Sequence, residues 1–183
     1  MANKIRLSYT FMEMWRRGKI KEAIDMYYHR NQIEPTPQMI AGKQLHEELE
    51  ASVKNTKAWP TRFSSIKLNN PISEVMRVVD YNDEFLLKGV IDIVDSPTIY
   101  EFKTGLATSD KYAREYQVPI YFLLCELAEI ECEKAIIVHH NQYTGINDVS
   151  LVWNGKRQIE RARNYIDSIG SDIYNYFESQ SLW

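Results

Sequence analysis

An α/β fold, with a mixed central sheet flanked by helices, is what this sequence predicts, and three observations predict it. Helical and extended patterns alternate along the chain with no internal repeat, low-complexity tract or compositional break. Between Arg62 and Phe102, short runs rich in β-branched and apolar residues are separated by three turn signals: Asn69-Asn70-Pro71, Asn82-Asp83 and Asp95-Ser96-Pro97. Near the C-terminus, Ile159, Ala162, Ile166, Ile169, Ile173 and Phe177 recur at steps of three and four, the spacing of one helix face.

Thr10 followed by Glu13 reads as a capping box opening a first helix, and Gly18 interrupts it before an apolar stretch from Ile20 to Tyr28. Thr36 and Pro37 supply an N-cap and a proline at the first helical position, after which Ala41, Leu45, Leu49 and Val53 form a stripe with His46 beside it. The turn signals then divide three or four strands, expected to be antiparallel, with one strand ending near Asp92. Asp110 can cap a helix running to about Glu129, although Pro119 must kink it or mark its true start. Ala135–His139 and Val149–Trp153 read as two paired strands around the turn-rich Asn141 to Asn147. The last helix carries Lys156, Arg157, Arg161 and Arg163 in its first two turns. That cluster suits either a phosphate backbone or a solvated face balanced by Glu160 and Asp167.

A chain of 183 residues with 44% hydrophobic content can bury one substantial core, so one domain spanning 1–183 is expected. A net charge of −3 argues against nonspecific coating of nucleic acid, which rests on many Lys and Arg contacts, but leaves room for a local basic groove. Cys125 and Cys132 cannot supply four thiolates to an iron–sulfur cluster and read as buried free thiols. No apolar run reaches the 18 or so residues of a membrane span and no signal peptide is visible, so a cytoplasmic, reduced setting is expected.

Glu101 and Lys103, two apart on a strand, share a face while Phe102 points away. Asp92 and Glu101 together can hold a hard divalent cation, with Lys103 orienting or helping to deprotonate an attacking water. By residue type alone, Asp92 is better explained as a strand-end residue and Glu101 with Lys103 as a solvated edge pair. His46-Glu47-Glu48-Leu49-Glu50 begins like a zinc protease helix but has Glu50 where the second histidine belongs. His139 and His140 point to opposite faces of a strand, which suits a structural role better than a shared ion. Lys111 and Arg114 lie close to Lys103 in sequence and add charge useful near a phosphate.

The stretches Gly89-Val90-Ile91-Asp92 and Glu101-Phe102-Lys103-Thr104-Gly105, followed by Gln117 with Tyr121, resemble the PD-(D/E)XK nucleases. The similarity is to the RecB-like branch, which includes the CRISPR adaptation nucleases and the mitochondrial genome-maintenance exonucleases. Gly42-Lys43-Gln44-Leu45-His46 matches that branch's glycine-then-histidine pattern, so the resemblance runs from Gly42 to Tyr121. It implies a restriction-endonuclease-like fold, with His46, Asp92, Glu101 and the Phe102 carbonyl as ligands of Mg²⁺ or Mn²⁺. An imidazole ligand shifts the preference modestly towards Mn²⁺. Lys103 would stand beside the nucleophile and Glu74 would support the site. Gln117 and Tyr121 would contact the DNA backbone or position the lysine.

Two departures from that branch qualify the comparison. The four cysteines that hold an iron–sulfur cluster in some relatives are missing, so no cluster is expected and the first helix is expected to close on the last by packing. No Walker-type motif is present, so unwinding would require a helicase partner. The function the resemblance implies is a metal-dependent DNA exonuclease acting on single-stranded or frayed ends. The rival readings are a non-catalytic nucleic-acid-binding module retaining the fold and, third, a hydrolase of another phosphate ester.

Overall fold

A computed structural model of the chain describes residues 4–29, 34–60, 63 and 66–180. Its elements in order are β1 (Ile5–Leu7), α1 (Tyr9–Arg16), α2 (Ile20–Tyr27), α3 (Pro37–Thr56), β2 (Ile72–Asp80), β3 (Phe85–Asp95) and β4 (Thr98–Thr104). There follow α4 (Ser109–Arg114), α5 (Gln117–Leu127), β5 (Lys134–His140), β6 (Asn147–Trp153) and α6 (Lys156–Gln180). The mixed sheet with flanking helices is as expected. Arg62, where the extended pattern begins in the sequence, lies outside the described residues.

Local chemistry moves several boundaries. Ser8, not Thr10, caps α1, its hydroxyl accepting the Phe11 N–H at 3.2 Å, because β1 ends at Leu7 and the next residue, Ser8, has the extended backbone of a cap. Thr36 caps α3 as expected, its hydroxyl accepting from the Met39 N–H, with Pro37 in the first turn. The buried stripe of α3 is Gly42, Leu45, Leu49 and Val53, and Ala41 is exposed. The single helix expected from Asp110 to Glu129 is two: α4 stops at Arg114, and Pro119 falls in the first turn of α5, where its missing N–H costs no helical bond. Gly18, at φ +74°, turns the chain between α1 and α2.

β2 and β3 form a long antiparallel ladder, while β4 pairs with β3 only over Ile93–Asp95 and then runs parallel to β5, itself antiparallel to β6. β1 takes the other end of the same β3 edge, parallel at Phe85–Leu87. Between those two partners β3 has no strand neighbour on that edge among the described residues, and the sheet forks. A second irregularity coincides with it. Strict alternation would keep Ile91 and Ile93 on one face, yet Ile91 packs with the α5–α6 core and Ile93 with the α3 core. Opposite this reversal, Glu74 on β2 adopts φ +50°, a left-handed conformation costly for a non-glycine residue.

The larger core lies between the sheet and α1, α2, α5 and α6, and includes Phe11, Leu87, Ile91, Phe122, Leu124, Ile166, Ile173 and Phe177. The first helix does close on the last: Trp15 meets Tyr176 edge-on at 5.2 Å, and the Tyr165 hydroxyl donates to Glu13 at 3.0 Å. The smaller core, on the opposite face, is aromatic and sits under α3: Leu45, Leu49, Trp59, Phe63, Tyr100 and Phe102. Among the described residues no helix is long and apolar enough to cross a membrane.

Candidate active site

The fork is where the expected residues meet. Asp92 is not a strand-end residue: β3 continues to Asp95, and Asp92 lies inside it, at the point where β4 peels away. Its Oδ2 accepts the Phe102 N–H at 2.7 Å, so the carboxylate occupies the place of a ladder bond. On the same open edge the Tyr121 hydroxyl donates to the Val90 carbonyl at 2.6 Å. Two side chains thereby satisfy backbone groups that the fork leaves without a strand partner.

Two glycines bring the helices close enough. A Cβ on Gly89 would sit 2.6 Å from Leu124 Cδ2 and 3.3 Å from the Tyr121 ring, so α5 can approach β3 only over a glycine. A Cβ on Gly42 would meet Thr104 Oγ1 at 2.8 Å, so α3 touches the end of β4 there and places His46 over Phe102 one turn later. The two rings meet edge-on with centroids 4.9 Å apart.

On the α5 face, Glu101 and Lys103 do project together, as their spacing predicts. Glu101 Oε1 accepts from Lys103 Nζ and from Gln117 Nε2, both at 2.6 Å. Gln117 Oε1 accepts a second bond from Lys103 at 2.7 Å, and Gln117 Nε2 lies 2.8 Å from the Tyr121 hydroxyl. The i, i+4 pair on α5 is therefore intact despite Pro119. Glu101 Oε2, by contrast, is buried with no hydrogen-bond partner among the described residues.

On the α3 face, His46 Nδ1 stands 3.9 Å from Asp92 Oδ2. His46, Asp92, Glu74, Glu50 and Trp59 line a cavity of about 40 Å³, room for a few water-sized groups, and the Trp59 indole N–H is buried there without a partner among the described residues. Among the described residues, no three His, Cys, Asp or Glu side chains converge into a preformed cation cage.

The electrostatics follow from burial. Asp92 keeps 26% of its side chain open to the cleft but is ringed by protein, and that desolvation raises its carboxyl above the ordinary range. Glu101 is raised for the same reason, with the neighbouring Asp92 charge adding to it. For Lys103 burial works against charge, but Glu101 and Asp92 outweigh it and hold the ammonium above its usual value. Burial lowers His46 and keeps a ring lone pair available.

Other candidates fall elsewhere. His139 and His140 do face opposite ways: His139 bonds Asp148 Oδ1 at 2.6 Å, and His140 lies towards Phe63. Arg161 is stacked on Tyr116 and donates to the Arg114 carbonyl, while Arg163 pairs with Glu126 at the far end of α5. Neither is a free cation at the fork. A larger hollow of about 580 Å³, lined by Glu126, Cys132, Trp153, Lys156 and Arg163, is at that far end, away from Gln117. Sequence reasoning passed over Tyr112, whose ring lies 5.9 Å from Lys103 Nζ, and weighed Glu50, one turn after His46, only as the residue that rules out a zinc protease helix. The i, i+4 spacing of His46 and Glu50 was the available signal for the second.

No family model matches the chain, and no curated protein matches it in sequence. Solved structures share its fold. A candidate exonuclease from Eubacterium rectale superposes with a TM-score of 0.67 at 11% identity, over 92% of this chain and 79% of that one. An alkaline exonuclease from Laribacter hongkongensis gives 0.52 at 9% identity over 97% and 93%. The same enzyme in complex with dAMP gives 0.54 at 10% identity over 96% and 93%. A phage-related exonuclease from Haemophilus somnus gives 0.54 at 14% identity over 90% and 83%.

Proposed function

We propose that the chain is a metal-dependent deoxyribonuclease of the PD-(D/E)XK type, RecB-like in its helix-borne His46, and an exonuclease on single-stranded or frayed DNA ends. The observation that carries the reading is Glu101. One oxygen is saturated by Lys103 and Gln117, and the other is buried without a partner among the described residues, beside a second desolvated carboxylate, Asp92. Such a carboxylate pair is unfavourable unless a cation compensates it. The donor set of two carboxylates, an imidazole and the Phe102 carbonyl fits Mg²⁺ or Mn²⁺.

When bound, a hard divalent cation supplies positive charge against the scissile phosphate and makes water more acidic. The chain's own residues do the rest. Asp92, Glu101 and His46 would hold the cation. Lys103, kept charged by Glu101 and pinned by Gln117, orients water and offers an ammonium to the phosphate oxygens; its raised pKa favours that role over proton abstraction. Tyr121 fixes Gln117, and Glu74 adds negative charge on the α3 side. The nearby exonuclease folds, one with bound dAMP, support a nucleic-acid substrate.

The test uses purified protein, end-labelled linear single-stranded DNA, and Mn²⁺, Mg²⁺ or EDTA, with Lys103→Ala alongside. Metal-dependent cleavage that the variant loses is expected, and the product ladder gives polarity. DNA bound but uncut in either metal would instead assign the fold to a non-catalytic binding module. Uniform nicking of a closed single-stranded circle would overturn the exonuclease part alone.

A further inference from the structure

His139 is 1% exposed, yet Ala135 and Ile137, its apolar neighbours on the same side of β5, show that the position could be filled without polar atoms. A buried imidazole is costly unless both nitrogens are bonded. Here both face acceptors: Nδ1 lies 2.6 Å from Asp148 Oδ1 and Nε2 lies 3.2 Å from the Gly105 carbonyl. The other Asp148 oxygen accepts the Ser109 N–H at 2.7 Å. The pair thus grips the connection from β4 to α4 at both ends, Gly105 and Ser109. Ser109 Oγ bonds Ser150 Oγ at 2.8 Å, and the Ser150 hydroxyl donates to Asp110, tying the first turn of α4 to β6.

What this connection controls is the surroundings of Lys103. In the β4–β5 ladder Lys103 pairs with His139, and paired residues project to the same face. Tyr112 on α4 covers both, its ring centroid 5.6 Å from the His139 ring and 5.9 Å from Lys103 Nζ, while its hydroxyl donates to the Thr104 carbonyl at 3.3 Å. We propose that His139 and Asp148 are positioning residues: they clamp the Gly105–Ser109 connection and seat Tyr112 against Lys103, which fixes the ammonium beside Glu101. The catalytic meaning of that ammonium rests on the nuclease reading; the clamp itself does not.

The experiment compares the full-length wild-type chain with His139→Phe, His139→Gln, Asp148→Asn and Asp148→Ala. Lys103 acylation by a succinimidyl ester and hydrogen exchange of segment 104–112 are read by peptide mass spectrometry, alongside Tm, kcat and KM on end-labelled single-stranded DNA. The proposal expects His139→Phe and Asp148→Ala to raise Lys103 labelling and local exchange, with β2 and β3 exchange unchanged. It also expects kcat to fall on the order of 10- to 100-fold at constant KM. His139→Gln, which can still donate to Gly105, and Asp148→Asn, which can still accept from Ser109, should show only a fraction of each effect. Wild-type labelling and exchange in both disruptive variants overturn the clamp. So does a rise in exchange spread evenly over the sheet with a falling Tm, which would make the pair a general stabiliser. A wild-type protein that never cuts DNA, while its labelling still responds to the variants, removes the nuclease reading and leaves the clamp standing.

Discussion

The two faces of the sheet contribute unlike halves to the candidate site. On the α5 face Lys103, Gln117, Tyr121 and Glu101 Oε1 bond one another at 2.6–2.8 Å above a closely packed aliphatic core, and Glu101 Oε2 has no hydrogen-bond partner among the described residues. On the α3 face His46 and Asp92 stand 3.9 Å apart, Glu74 is held in a left-handed conformation, and a small cavity remains among aromatic rings. A saturated network fixes geometry in advance, whereas a face with open donors leaves room for something still to bind. On the proposed reading the α5 half would orient, and the α3 half together with Glu101 Oε2 would receive the cation.

Breaking the orienting half should have the largest effect. Lys103→Ala is expected to lower cleavage by about 10²- to 10³-fold, measured by single-turnover assay at a temperature where the variant is folded, and to lower Tm as well because Glu101 loses its buried counter-charge; a folded variant within twofold of wild type would place the chemistry elsewhere. On the receiving half, His46→Ala should raise the cation concentration needed for half-maximal cleavage by on the order of 10- to 100-fold, while saturating metal recovers much of the rate. If saturating metal recovers nothing, His46 is not a ligand.

Packing distinguishes the faces next. Gly89→Ala drives a methyl into Leu124 and Tyr121 and should cost about 1–3 kcal/mol in urea unfolding. Gly42→Ala meets only the Thr104 hydroxyl end, which can move, and should cost less, with Thr104→Ala relieving it in a double-mutant cycle. Equal costs would remove the contrast between a rigid and a yielding contact.

The pH dependence sharpens it further. The Asp92 carboxyl is raised in the fold, so its ionisation opposes folding: its contribution is intact below the unfolded-state pKa and shrinks as pH rises through that value to the folded one. Asp92→Asn should therefore be more stable than wild type at pH 8 in EDTA, the gap closing below pH ~4, even though cleavage is lost. A less stable variant at pH 8 would mean the Phe102 bond outweighs desolvation. The smallest effect is remote from the fork. Hydrogen bonds from Arg16, then Arg17 and Tyr165, hold Glu13 down to about 2, so its stabilisation is present above its unfolded value and lost as pH falls towards 2. Glu13→Gln should flatten that acid limb and, because the arginines are solvent-screened, cost no more than about 1 kcal/mol at pH 7.

What was legible in the sequence was whatever depends on spacing within one element. Glu101 and Lys103 on one side of a strand, Gln117 and Tyr121 a helical turn apart, and His139 and His140 on opposite faces all follow from fixed periods. The position of the fork along β3 was not legible. Asp92 reads as the end of a strand because nothing local says that β4 leaves β3 there while β2 stays. β1 is only Ile5-Arg6-Leu7, too short to display a period. The reversal between Ile91 and Ile93, with left-handed Glu74 opposite, keeps an apparently regular alternating pattern while changing which core each residue joins. The Ser109–Asp148 bond links residues whose proximity only the tertiary fold creates.

The way Tyr121 and Asp92 complete the sheet has a practical consequence for choosing inactive controls. Tyr121→Phe would strip the Val90 carbonyl of its donor, and Asp92→Ala would leave the Phe102 N–H without an acceptor, so either variant perturbs architecture together with chemistry. Lys103→Ala instead spares the main chain, and what it removes is confined to side chains: the counter-charge of Glu101 and the donor to Gln117 Oε1.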